Sequence, residues 1–151
     1  MKFIGDIIIT DPCYIIRTEH RGRKPDWAAC EYGKSMEALG ITNYLSSDTL
    51  YGDWSCTTYN KDTGQKLGNF CADAGMVAVF VLDEVLKYNP DFDYHLNRPW
   101  TTTLIKNFDG DIEIDVVSFT YKDQNGVRKS YKEVRVVGTG NINFFTTQTG
   151  L

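Results

Sequence analysis

The sequence is poor in the residues that mark metal and redox proteins. It has two histidines in 151 residues, and its four cysteines, at positions 13, 30, 56 and 71, form no closely spaced pair. Zinc sites and redox Cys-x-x-Cys motifs need such ligands close together, so the spacing argues against both. We therefore expect a protein without a bound cofactor.

Long apolar runs are also lacking. The longest, Met76–Leu82, is far too short to cross a bilayer. Met1 and Lys2 lead directly into a strand pattern, which is not typical of a secretory signal. We expect a cytoplasmic protein that does not enter membranes and whose thiols stay reduced.

An excess of positive charge is missing as well. The formal net charge is −4, which argues against general affinity for nucleic acids. Residues 17–24 nevertheless hold four of the sixteen Lys and Arg side chains and one acid, which leaves twelve bases against nineteen acids, or −7, elsewhere. A small basic cluster on an acidic protein favours a compact anion as the ligand, although a basic stretch is also typical of a solvated loop.

The first half of the chain alternates strand and turn signals. Residues 3–9 are almost continuously apolar and predict a buried strand that stops at Asp11-Pro12. Residues 54–59 and 66–71 flank a glycine-containing loop and predict a β-hairpin, and residues 76–82 predict another buried strand.

Two helices are expected. Pro25 suits the first helical position, a stripe of apolar residues follows at helical spacing, and Gly40 is placed to end the helix, which predicts a helix over about 25–39. Residues 83–88 predict a short second helix that ends before Pro90. Residues 42–52 and 90–99 are polar and have no continuous helix or strand pattern, which is typical of loops.

The last third reads as an antiparallel meander. Strands are predicted over 100–108, 112–121, 127–137 and 141–147, with a turn at 109–111 and a bulge at Val116-Val117. The whole pattern predicts a single β-rich α+β domain over residues 1–151, with a mainly antiparallel twisted sheet or a partly closed barrel. An open edge of the late strands would allow homo-oligomers.

Aromatic rings and guanidinium groups are the side chains that favour a binding site. Flat rings stack on bases, and arginine holds phosphate oxygens with paired hydrogen bonds. The alternative for the aromatic residues is that they fill the core. The predicted ligand-binding residues are Tyr14, Arg17, Arg21, Arg23, Trp54 and Tyr59, with Thr57 and Phe70 beside them.

Two catalytic alternatives remain open. Cys13 with His20 would suit a small hydrolase, because a cysteine nucleophile needs a nearby base; a small buried cysteine is the other interpretation. Asp11 and Asp73 would suit a metal ion if their turns meet, although aspartates at such positions are more often turn formers. The lack of a complete catalytic motif favours a protein that does not turn its ligand over.

Two short motifs carry a resemblance. Asp11-Pro12-Cys13-Tyr14 after a strand, and the corner of residues 71–75 before another, resemble a pattern in small uncharacterised proteins of phage and bacterial genomes. The resemblance implies a phage-encoded accessory protein acting in the host cytoplasm. We therefore expect a module that sequesters a small anionic ligand, such as a nucleotide or cyclic nucleotide signal, in a counter-defence role. The remaining alternative is a protein-interaction or virion component with exposed aromatic residues.

Overall fold

Eight strands form one open antiparallel sheet. The structure is a computed structural model that describes residues 1–16, 36, 39–50, 52, 54–73, 75–98 and 100–149. The strands are β1 (Lys2–Thr10), β2 (Tyr44–Asp48), β3 (Trp54–Asn60), β4 (Lys66–Ala72), β5 (Met76–Val81), β6 (Thr102–Lys122), β7 (Arg128–Gly140) and β8 (Phe144–Gln148). Their order is β2-β5-β1-β6-β7-β8-β3-β4, so β2 and β4 form the two edges. The predicted β-rich α+β fold with a mainly antiparallel sheet is confirmed.

The short helix is confirmed as Leu82–Tyr88. Residues 90–96 are helical, because Pro90–Phe92 form a 3-10 turn and Asp93–Leu96 a single helical turn. The predicted loop is therefore wrong for these residues. No helix in the described ranges is long and apolar enough to span a membrane.

The longer predicted helix, 25–39, falls almost entirely outside the described residues. Its described residue Met36 is helical and buried. The amide of Ile41 donates to the carbonyl of Met36 at 2.9 Å, and Gly40 has a φ of 83°. This bond and this backbone conformation are those of a glycine-terminated helix, as predicted for Gly40.

The sheet coils so that its two halves enclose the main core. Two strands, β7 and β8, separate β6 from β3 in the sheet order, yet the hydroxyl oxygens of Thr58 on β3 and Thr103 on β6 are 3.1 Å apart and buried. Apolar residues from β1, β3–β8 fill the space between the halves. This main core includes Phe3, Ile7, Ile9, Phe70, Val79, Phe108, Val136 and Phe144.

A second core lies on the other face of β1 and β5. Ile8 and Phe80 point into it, because alternate residues of a strand face opposite sides. The helix 82–88 covers it with Leu82 and Val85, and Met36 joins it. Both faces of β1 are therefore buried from Ile7 to Thr10, as its apolar run predicted, whereas Ile4 is exposed.

The predicted turn at 109–111 is wrong, because β6 runs without interruption through these residues. Gly110 pairs with Gly140, and a Cβ on Gly110 would lie 2.3 Å from the carbonyl oxygen of Thr139. The first half of β6 pairs with β1 and the second half with β7. The glycine therefore allows a close strand approach where the partner of β6 changes.

Two further details differ from prediction. The register of β6 and β7 is continuous through Val116 and Val117, so the bulge expected there is absent from this ladder. The register of β1 and β6 shifts instead, because Lys106 and Asn107 of β6 lie opposite the single β1 residue Asp6, which places a bulge in β6. Residues 44–48, predicted as part of a loop, form the edge strand β2, which pairs with β5 on one side and so carries polar residues.

The far end of the β6–β7 hairpin projects from the sheet. Backbone pairing of β7 with β8 is at Val137 and Gly138, whereas β6 and β7 pair as far as Lys122 and Arg128. We call residues 118–132 the ribbon. Of its strand residues, all but Phe119 are exposed.

Candidate functional site

Asp11 is a buried structural clamp. Its Oδ1 accepts a hydrogen bond from the Cys13 amide at 2.9 Å, and its Oδ2 accepts one from the Met76 amide at 3.2 Å. The carboxylate thus holds the Pro12–Tyr14 turn and joins it to the start of β5. Both oxygens serve the backbone, which accounts for the burial of this acid.

Tyr14 lies beside Asp73 and His95. Its hydroxyl donates to Oδ2 of Asp73, and its ring centroid is 5.0 Å from that of His95. The two turns that carry Asp11 and Asp73 therefore come close, as the metal alternative required. Among the described residues, however, no three His, Cys, Asp or Glu side chains form a group that could hold a metal ion.

Trp54 and Tyr59 do not share a surface. Trp54 packs against the main core, whereas Tyr59 faces away from it and contacts Phe145 with ring centroids 5.9 Å apart. The two positions are an odd number of residues apart in one strand, which places them on opposite faces. The expected common pocket of these two rings is therefore wrong. The other predicted binding residues, Arg17, Arg21 and Arg23, and the alternative base His20 lie outside the described residues.

A cavity of about 240 Å³ opens on the β3–β4 hairpin. Two register pairs, Ser55 with Cys71 and Thr57 with Asn69, put four small polar side chains on one face of the two strands. All four line the cavity, together with Lys66, Phe70, Trp100 and Thr149. Thr57 and Phe70 belong to the predicted aromatic and hydroxyl set; Lys66 and Trp100 were missed.

An exposed aromatic and basic cluster borders this cavity. The guanidinium carbon of Arg98 lies 4.5 Å from the ring centroid of Tyr94 and 5.3 Å from that of Trp100. The two rings are 57% and 53% exposed, so stacking surface remains available to a ligand. Tyr94 also contacts His95 edge to face at 5.4 Å, which links the cluster to Tyr14.

The cluster could have been found in the sequence from its spacing. Tyr94, Arg98 and Trp100 fall in the segment read as a polar and aromatic loop. Tyr94 and Arg98 are four residues apart, which is the spacing of neighbours on a helix. The helical turn Asp93–Leu96 begins this arrangement.

The two cavity cysteines differ in chemistry. Burial, with smaller contributions from the Glu133 carboxylate and Cys71, raises the pKa of the Cys56 thiol to about 12. Cys56 therefore stays protonated at neutral pH and is a poor nucleophile. Cys71 is partly exposed on the polar face of the hairpin, where a bound ligand would cover it.

Comparisons with known proteins give no relative. No family model matches the chain, and neither the curated proteins nor the solved structures contain a significant match. The site must therefore be interpreted from its own residues.

Proposed function

We propose that this protein binds a small anionic ligand with a flat ring, of mononucleotide size, in the cavity beside Trp100, and releases it unchanged. The observation that carries the proposal is an exposed indole at a cavity of mixed polar and apolar lining, with one cation, Lys66, in the lining and a second, Arg98, beside the indole. The ligand class is the one that the sequence predicted, but the residues are largely different.

Each part of such a ligand has a matching group. The indole of Trp100 offers a stacking face for a base, and the hydroxyls of Ser55 and Thr57 and the amide of Asn69 offer hydrogen bonds to a sugar or base edge. Lys66 and Arg98 supply the charge for a phosphate. At about 240 Å³ the cavity is smaller than those that enclose drug-sized ligands, so part of the ligand would remain at the surface against Trp100.

The affinity expected from these groups is limited. Stacking contributes roughly 2 kcal/mol and each charge-assisted hydrogen bond roughly 2 kcal/mol. One stacked ring and two such bonds total about 6 kcal/mol, and the loss of translational and rotational freedom on binding reduces this sum, so we expect a Kd above the tens of micromolar that about 6 kcal/mol alone would give. A second stacked ring or a second phosphate would be needed for submicromolar binding.

The test is titration calorimetry with a panel of ligands. Mononucleotides, dinucleotides, cyclic nucleotides, ribose 5-phosphate and inorganic phosphate separate the contribution of the ring from that of the charge. We expect binding of ring-containing ligands, about 30-fold weakening in Trp100→Ala from loss of roughly 2 kcal/mol of stacking, and a similar loss in Arg98→Ala.

The matched control is Tyr121→Ala, which removes another exposed ring, located on the ribbon. This variant should bind as the wild type does. If no ligand binds better than inorganic phosphate, or if Tyr121→Ala weakens binding as much as Trp100→Ala, the proposal is wrong. Chromatography of ligand recovered from the denatured protein separates binding from turnover, since new products would favour the hydrolase alternative.

The resemblance to small phage and bacterial proteins extends the proposal to a cell. A phage-encoded protein of this kind would sequester a nucleotide signal of the host defence. Sequestration requires the protein to be as abundant as the signal and does not require catalysis. Expression of the wild type, and not of Trp100→Ala, should then protect an infecting phage in a host whose defence uses that nucleotide.

A further inference from the structure

The ribbon has two chemically different faces. In the β6–β7 ladder, Lys122 lies opposite Arg128, Thr120 opposite Ser130 and Ser118 opposite Lys132. Opposite residues of an antiparallel ladder share a face. All six are exposed, and all are cationic or carry a hydroxyl. We call these six residues the basic face.

The side chains on the other face of the ribbon contact one another and the turn. Phe119 stacks on Tyr131 at 5.1 Å between ring centroids, and Tyr121 meets Tyr131 edge to face at 6.1 Å. Lys129 on this face forms an ion pair with Asp123 in the turn, with 3.5 Å between Nζ and Oδ2. These contacts hold the two strands together on the face opposite the basic face.

The ribbon carries a net positive charge, whereas the rest of the protein carries a net negative charge. Residues 118–132 contain four bases and one acid, a net charge of +3, and the remaining 136 residues contain twelve bases and nineteen acids, or −7. The acid of the ribbon, Asp123, lies in the turn. Lys122 and Arg128 are directly opposite each other, a like-charge pairing that destabilises a sheet. A solvated surface does not require such a pairing, whereas a polyanionic ligand would offset its cost.

We propose that the basic face of the ribbon binds the phosphate backbone of duplex nucleic acid. A two-stranded antiparallel ribbon has the width that fits the major groove of B-DNA, and Lys, Arg, Ser and Thr side chains are the usual phosphate contacts. The basic face combines these four residue types with exposed backbone on a projecting element. It carries no Asn or Gln, the side chains that usually read adenine.

The net charge of −4 does not prevent this binding. The five strand residues from Ser118 to Lys122 extend roughly 17 Å from the body, and the Debye length at 0.1 M salt is about 10 Å. Phosphates at the end of the ribbon are therefore screened from the acidic body. The net charge describes the whole surface, so it argues against general affinity for nucleic acids. It does not describe the ribbon, which is locally basic.

The experiment is fluorescence anisotropy of a labelled 20-base-pair duplex at 50–200 mM salt. Binding through three phosphates gives a salt slope of about −2.7, so a fourfold increase in salt weakens binding about 40-fold. Lys122→Ala or Arg128→Ala should each remove one contact and reduce that factor to about 12-fold.

The matched control is Lys129→Ala, which removes the same charge from the same ribbon but from the opposite face. It should keep the 40-fold salt dependence. No binding of the wild type at 50 mM salt overturns the proposal, as does equal weakening by Lys129→Ala. Binding to phosphatidylserine vesicles without binding to the duplex would identify a membrane surface instead and also overturn it. Trp100→Ala should bind the duplex normally, which separates this proposal from the nucleotide site.

Discussion

Gly110→Ala tests the close approach of β6 and β7 at Gly110. The added Cβ would lie 2.3 Å from the Thr139 oxygen, 2.7 Å from the Gly140 Cα and 2.9 Å from the Thr139 carbonyl carbon. All three are backbone atoms, so no side-chain rotation relieves the overlap. β6 and β7 must separate where Gly110 pairs with Gly140.

The cost follows from the contacts that separation would break. Two ladder hydrogen bonds contribute about 1 kcal/mol each, and displacement of the neighbouring core residues Phe108 and Phe144 adds about 1–3 kcal/mol. We therefore expect Gly110→Ala to lower the free energy of unfolding by about 3–5 kcal/mol, a large part of the 5–15 kcal/mol that is typical of a domain.

Urea unfolding measures this loss, and Gly64→Ala serves as the comparison variant. Gly64 has a φ of 73° and open space around its Cβ position, so Gly64→Ala carries the cost of left-handed backbone alone, about 1–2 kcal/mol. Gly110 has no positive φ to explain its glycine. If Gly110→Ala costs less than Gly64→Ala, the strands are not closely packed at residue 110 and the predicted turn at 109–111 regains its support.

Two further predictions concern single buried groups. Because the Cys56 thiol has a pKa of about 12 when folded and near 9 when unfolded, its contribution is complete below pH 9 and is lost as the pH rises from 9 to 12. The wild type should lose about 1.4 kcal/mol per pH unit relative to Cys56→Ala in urea unfolding over that range, and parallel pH profiles would contradict this. Asp11→Ala should cost about 3–5 kcal/mol because the amides of Cys13 and Met76 lose a charged acceptor, whereas Asp11→Asn keeps one acceptor and should cost less than half as much; equal losses in thermal unfolding would refute the clamp.

Local sequence signals predicted much of the sheet. The continuous apolar run of residues 3–9 and the glycine-containing loop of residues 60–64 predicted β1 and the strands of the β3–β4 hairpin to within one residue at each end. Periodicity and turn chemistry act over a few residues, and these elements need nothing beyond that range. Edge strand β2 was missed because a strand that pairs on one side can be as polar as a loop.

The local sequence led to a wrong prediction for Gly110. Asp109-Gly110-Asp111 has the composition of a turn, but the glycine is required by the approach of β7, thirty residues later in the chain. A turn and a close approach select the same residue type for different reasons. The distinction depends on tertiary contacts and cannot be read from the neighbours of Gly110.

The candidate site was predictable in its chemistry rather than in its position. Aromatic rings with cations were expected, but Lys66 and Trp100 are brought together by the coiling of the sheet, which no short pattern encodes. One error was avoidable from the sequence, since Trp54 and Tyr59 are five residues apart in one strand and so face opposite sides.

The most direct test of the nucleotide-binding proposal is a crystal structure with the tightest ligand of the calorimetry panel. We predict that its base stacks on the indole of Trp100 and that its phosphate lies between Lys66 and Arg98. Ligand density beside residues 17–24, with an empty cavity at Trp100, would contradict the account and restore the binding site that the sequence alone suggested.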